Sequence, residues 1–293
     1  MYKKILAAAD SSEGSNIALV HAVILAKKLG AELTALWVRG SLPHYPETVD
    51  EIEEEEETAQ AFFLEIKEHL KSLSATYGIA IRAELRKGHP AQQVVECARE
   101  GAFNLIVLGS RGHSRLWGQL LGHTADRVNE YAPCSVLIVR SEKEKAQYRR
   151  MLVGFDGSEG GVTALHHALM IGKAISSEVR VLWIHEVPPG YGSASEERYD
   201  EKWMHDFFET SVKDRIEQAA SECGIKVEAD CRRGFADKTL VTEAEAGGFR
   251  LIVLGHSGHS GLWGRLLGGT ADRVSHHAHC DVLIVREKKE PHL

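Results

Sequence analysis

The sequence predicts two consecutive α/β domains, each a doubly wound, five-stranded parallel sheet with strand order 3-2-1-4-5. Three observations predict this class. The chain repeats itself at a constant offset of 146 residues. Each repeat alternates short apolar runs with stretches of helical periodicity. A glycine-rich loop follows the fourth apolar run in both repeats.

The offset is visible at single residues. Asp10 recurs as Asp156, Trp37 as Trp183, Gly88 as Gly234, Gly109 as Gly255 and Trp117 as Trp263. Between Leu105–Val128 and Leu251–Val274, 19 of 24 positions are identical. So long a period marks a whole domain, not a solenoid unit. The expected division is 1–140, a charged linker at 141–147, and 148–293.

In the first repeat Lys4–Ala9 reads as a strand and Gly14–Gly30 as a helix stopped by glycine. Glu32–Val38 is a second strand, and Ser41–Asp50, with two prolines, an irregular crossover. Glu51–Tyr77 reads as a long helix, Ile79–Leu85 as a strand and Ala91–Glu100 as a helix. Phe103–Leu108 is a strand, apolar except for Asn104, Thr124–Tyr131 is a helix and Ser135–Val139 the last strand. The layout returns between Met151 and Val285. Apolar strands separated by helices imply a parallel sheet covered on both faces. Right-handed crossovers then give the order 3-2-1-4-5. Ligands of such sheets sit at the carboxyl ends of the strands, where the winding reverses. Asp10 or Asp156 and the glycine loop both fall there.

Composition narrows the function classes. The 293 residues are 43% hydrophobic and 26% charged, with a formal net charge of −7, which disfavours nucleic acid as a partner. No run of 18 apolar residues is present, so no membrane span is expected, and the first apolar stretch is too short for a signal peptide. A cytoplasmic protein is the expectation. The five cysteines, Cys97, Cys134, Cys223, Cys231 and Cys280, form no C-x-x-C pair and read as reduced thiols.

The loops read Gly109-Ser110-Arg111-Gly112, nine residues, Gly122-His123-Thr124, and Gly255-His256-Ser257-Gly258, nine residues, Gly268-Gly269-Thr270. Glycines let backbone N–H groups turn inward around a phosphate chain, and the start of a helix adds free amides. Thr124 and Thr270 are the expected N-caps of that helix. The bland alternative is a long turn without a ligand.

The pattern G-x2-G-x9-G resembles the ATP-binding signature of universal stress proteins. Val153-Gly154-Phe155-Asp156-Gly157-Ser158, Gly88-His89-Pro90-Ala91 and Ala132-Pro133-Cys134-Ser135-Val136-Leu137-Ile138-Val139 are similar to three further motifs of that family. The resemblance covers nearly the whole chain. It implies a Rossmann-like fold of the adenine nucleotide alpha hydrolase type and a stress-response role. The implied ligand is ATP, or AMP or ADP, bound in a sensor or adaptor with at most slow hydrolysis. It assigns Asp10 and Asp156 to the adenine-ribose end and the backbone of Val38 and Ile184 to the base. Gly109, Gly112, Gly122, Gly255, Gly258 and Gly268 would surround the phosphates. The sequence departs from the family at one place. The hydroxyl residue after the last glycine is His123 in one copy and Gly269 in the other, so Thr124 or Thr270 must substitute. Gly269 leaves space and a backbone N–H, which favours the second site.

No Walker lysine follows these glycines. Arg111, Arg115 and Arg265 are the nearest cations, and solvated surface positions are their ordinary role. Asp10 and Asp156 can meet Mg²⁺ or a ribose, but one carboxylate per site is too few for a dedicated metal cage. His276, His277 and His279 with Cys280 fit no regular zinc spacing, although His276 and His279 could share a helical face. The run Glu53–Glu57 reads as a solvated acidic helix start. Trp117 and Trp263 either cover a ligand or pack their own loops. Val136–Val139 and Val282–Val285 are candidate edges that could pair with each other as an intramolecular pseudo-dimer; whether two chains then associate is left open. A non-nucleotide scaffold, a small-molecule carrier and a weak ATPase remain alternatives, because one fold hosts many functions.

Overall fold

The computed structural model describes residues 2–40, 49–110, 121–140, 148–186, 194–258 and 267–287, with backbone alone at 49–59 and 194–200. The first repeat forms β1 (Lys4–Ala9), α1 (Glu13–Leu29), β2 (Glu32–Arg39), α2 (Val49–Tyr77) and β3 (Ile81–Lys87). It continues through α3 (Pro90–Glu100), β4 (Leu105–Gly109), α4 (His123–Tyr131) and β5 (Ser135–Val139). The second forms β6 (Arg150–Phe155), α5 (Glu159–Ile175), β7 (Glu178–His185), α6 (Ala194–Phe207) and α7 (Lys213–Cys223). It ends with β8 (Val227–Arg233), α8 (Ala236–Ala246), β9 (Leu251–Gly255), α9 (Gly269–His277) and β10 (Asp281–Val285). The repeats differ in their second helix: α2 is continuous, whereas a π-helical turn at Phe208–Val212 separates α6 from α7.

Local chemistry sets the helix ends. Ser12 caps α1 by accepting the Ser15 N–H, and Ser158 caps α5 by accepting that of Gly161. Gly30 ends α1 at φ 63°, where a glycine has no β-carbon to clash.

The strands form one ten-stranded sheet in the order β3-β2-β1-β4-β5-β10-β9-β6-β7-β8. Each half has the predicted order 3-2-1-4-5 and is parallel throughout. At the centre the two final strands run antiparallel, with Val136 opposite Ile284, Leu137 opposite Leu283 and Ile138 opposite Val282. Both strands are buried along their whole length, so each supplies the other's missing neighbour.

The two faces of the sheet are packed differently. On the face of α1 and α5, one apolar core runs across both repeats. On the other face two cores stay separate, one around Val94, Val128 and Ile138, the other around Leu240, Val274 and Ile284. The shared face also exchanges tyrosines. Tyr148 from the second repeat donates its hydroxyl proton to Asp281 Oδ2 at 2.8 Å. Its oxygen, having no second proton, accepts from His21 Nδ1 of the first repeat at 2.8 Å. The equivalent pair, Tyr2 and His167, lies at 2.8 Å, but Ser135 stands where Asp281 stands in the other half.

Burial lowers the His167 pKa to about 4. The unfolded chain therefore takes up this proton near pH 6.5 and the folded chain only near 4. The stability held by neutral His167 is complete above pH 6.5 and is lost as pH falls toward 4. Urea unfolding across that window should show the wild type losing at most about 3 kcal/mol more than His167→Gln. Parallel curves for the two proteins would contradict this.

Candidate functional site

The site of the second repeat begins with two glycines. A β-carbon on Gly255, at the end of β9, would lie 2.6 Å from the Gly160 carbonyl. One on Gly160, in the first turn of α5, would lie 2.3 Å from Ser257 O. Strand end and helix start therefore touch backbone to backbone. This contact brings the loop after β9 over the turn after β6. A β-carbon at Gly258 would stand only 2.6 Å from Asp156 Oδ2. Asp156 Oδ1 accepts the Ser158 N–H at 2.9 Å and its hydroxyl at 2.6 Å, which fixes the carboxylate on its own turn.

The far end of the loop is pinned to the sheet. The His256 N–H donates to Val285 O at 2.9 Å, and the Gly268 N–H donates to His256 O at 2.7 Å. Helix α9 then starts at Gly269, with Gly268 at the N-cap and no side-chain cap bond. This corrects the expectation for the threonines. Thr124 and Thr270 are the second residues of α4 and α9, and Gly122 and Gly268 hold the caps. The consequence is chemical. A glycine cap offers no hydroxyl of its own to the first amides of the helix, and Gly269, Thr270 and Ala271 all border the same crevice.

That crevice has a volume of about 380 Å³. All seven residues expected of the second site line it: Asp156, Ile184, Gly255, Gly258, Gly268, Gly269 and Thr270. An acidic side chain and a row of backbone amides thus share one space. Leu182, Leu240 and Leu254 add an apolar wall that the motif alone did not mark. Glu186 was also missed. Its carboxylate accepts the Ala236 N–H at 2.9 Å, at the start of α8. In the first repeat these positions are Gly40 and Pro90, and proline has no N–H to satisfy. The compensating pair was readable only by comparing the repeats. Arg273 was missed as well. A β-carbon at Gly269 would lie 3.1 Å from its Nη1, and its guanidinium pairs with Asp237 at 3.0 Å.

The first repeat has the same frame. A β-carbon on Gly109 would lie 2.9 Å from the Gly14 carbonyl. Asp10 Oδ1 accepts from the Ser12 N–H at 3.0 Å and its hydroxyl at 2.6 Å. The Gly122 N–H donates to Ser110 O at 2.8 Å, Thr124 lies one residue inside α4, and Val38 is near the end of β2. Two residues change its interior. Ser15 replaces Gly161, and its hydroxyl accepts the Asp10 N–H at 2.9 Å. His123 is exposed, with its ring 6.1 Å from that of His89. Gly112, Arg111, Arg115, Trp117, Trp263, Arg265 and the linker 141–147 lie outside the described residues, as do the side chains of Glu53–Glu57.

The histidine segment departs from its expectation. Helix α9 ends at His277 and Ala278 is extended, so His279 leaves the helical face of His276. His279 instead lies 3.8 Å from Glu245. Cys134 and Cys280 are buried, and burial pushes the Cys280 thiol up to about 12.

Comparison with known proteins agrees with this architecture. The family model described as the universal stress protein family matches residues 1–140 and again residues 147–286. A universal stress protein of Mycolicibacterium smegmatis is 26% identical over 305 residues, spanning 97% of each chain. Universal stress protein YxiE of Bacillus subtilis is 36% identical over 151 residues, which cover 48% of this chain and 100% of its own. The crystal structure of a universal stress protein from Archaeoglobus fulgidus superimposes with a TM-score of 0.66 at 21% identity, covering 97% of this chain and 96% of that one. At that identity the likeness is one of fold.

Gly255→Ala tests the close contact. Its methyl group must push β9 and α5 apart, an overpacking cost of about 1–3 kcal/mol. Urea unfolding should register that loss. A variant as stable as the wild type would show that the two backbones are not in contact.

Proposed function

The chain belongs to the universal stress protein family, and we propose that its second repeat binds an adenine nucleotide, ATP or its AMP or ADP form, as a stress sensor or adaptor. One observation carries the reading: Asp156 and the uncapped start of α9 face a single crevice across Gly258. Amides at a helix start attract phosphate, through unpaired N–H groups and the positive end of the helix dipole. A carboxylate suits the hydroxyls of a ribose. The leucine wall and the backbone of Ile184 suit a purine. The volume falls within the roughly 300–1,000 Å³ of small-molecule sites.

Sensing fits this site better than turnover. Phosphoryl transfer needs cations at the developing charge. Among the described residues lining the crevice there is neither lysine nor arginine, and Arg273 beside it is paired with Asp237. Hydrolysis is accordingly slow at most. Mg²⁺, if it enters, comes with the phosphates, since the two carboxylates of the crevice, Asp156 and Glu186, each already accept a backbone N–H and are too few for a metal cage.

Acid-quenching the purified protein and identifying what it releases tests the reading first. The expected product is an adenine nucleotide. Titration of nucleotide-free protein with ATP gives the second arm. Asp156→Ala should weaken binding about tenfold or more, from the loss of hydrogen bonds to a charged group. Gly258→Leu should abolish binding without unfolding the chain. Unchanged ATP affinity in both variants would remove the crevice from consideration, and a protein that neither releases nor binds nucleotide would favour the carrier reading.

A further inference from the structure

The seam between the repeats carries a polar cluster on the face where the two apolar cores stay separate. There α4 and α9 bring together Asp126, Asp272 and His276, whose ligand atoms all lie within 4.8 Å of one another. Asp126 and Asp272 occupy equivalent positions of the two repeats. Asp272 and His276 are four residues apart on α9, which places them on one helical face. Asp126 reaches in from the other repeat.

The imidazole is already oriented. His276 Nδ1 lies 2.9 Å from the Asp272 carbonyl oxygen. A carbonyl only accepts, so Nδ1 carries the proton, and in neutral histidine Nε2 is left with a lone pair. Nε2 stands 3.4 Å from Asp126 Oδ1. Asp272 Oδ1 lies 3.5 Å from Nδ1 as well, and a lone pair between two carboxylates is an arrangement that a cation on Nε2, a metal ion or a proton, resolves. Fixing one ring nitrogen on a carbonyl is also how metal-binding histidines are held. A second observation comes from Asn129 and Ser275, one turn beyond Asp126 and Asp272. Both are completely buried. Neither polar atom of the Asn129 amide nor the Ser275 hydroxyl has a partner among the described residues. Such groups call for ordered water, since the guanidinium groups of Arg140 and Arg286 already bond the Ser275 and Asn129 carbonyls.

We propose that Asp126, Asp272 and His276 form a binding site for a divalent transition-metal cation of the Zn²⁺ type, which clips the two repeats together. Two carboxylates and one imidazole give a mixed O/N donor set, and water completes the shell. The cations that favour all-oxygen shells, Mg²⁺ among them, fit it less well. Because the ligands come from both repeats, the metal binds only when α4 and α9 are docked. It therefore stabilises the assembled sheet by mass action. Its three ligands are separate from the residues that line the proposed nucleotide crevice.

Calorimetric titration of the chelator-treated full chain with ZnCl2, without nucleotide, is the test. One zinc per chain should bind, and saturation should raise the unfolding temperature. Asp126→Asn and His276→Gln should each weaken that event about 10–100-fold. His279→Gln should leave it unchanged, which guards against zinc held by other histidines. Unfolding temperatures measured without zinc establish that the variants fold. Absence of a zinc event, zinc affinity equal to wild type in both Asp126→Asn and His276→Gln, or equally tight binding of Mg²⁺ would overturn the assignment.

Discussion

The crevice of the second repeat depends on two backbones touching where neither carries a side chain. Gly255 at the end of β9 meets Gly160 in α5, and Gly109 meets Gly14 in the same way. Any β-carbon there would separate strand from helix and lift the following loop. With the contact in place, Gly258 comes against Asp156, and α9 begins beside the same space. The placement of the loop after β9 over Asp156 follows from that one approach. This is a steric constraint before it is a chemical one, and it accounts for glycine at 109, 160 and 255.

A second constraint acts on the whole chain. A five-stranded sheet leaves the outer edge of its fifth strand unpaired, and here that strand is apolar after its first residue, Ser135 or Asp281. The antiparallel pairing of β5 with β10 removes both edges at once. The tandem repeat thus builds inside one chain the interface that two separate domains would otherwise have to form. It also permits the halves to diverge. Asp281 and Ser135, Gly161 and Ser15, Gly269 and His123 are pairs of equivalent positions with different chemistry. In the first repeat the hydroxyl of Ser15 and the exposed ring of His123 alter the approach to Asp10. In the second, glycines at 161 and 269 keep the space clear.

Much of this was legible in the sequence because it rests on local periodicity and on backbone needs. Apolar runs gave the strands, glycine spacing gave the loop, and the constant offset gave the second copy. The threonine caps were misread because cap identity depends on where the loop ends in space. Gly268 is pinned to His256 O, and that bond begins the helix one residue before Thr270. The apolar wall from Leu182, Leu240 and Leu254 was invisible as a wall, since those residues read only as strand and helix core. His276 was noticed, but its neighbour Asp126 lies in the other repeat. No spacing rule within one segment could join them.

The central claim is that the amides of the glycine loop and of the α9 start receive an anionic tail opposite Asp156. The most direct measurement is a crystal structure of the full chain grown with saturating ATP. Phosphate density is expected against the backbone N–H groups of Gly258, Gly269 and Thr270, with the ribose beside the Asp156 carboxylate. An empty second crevice under those conditions, or a nucleotide bound elsewhere on the chain, would contradict it.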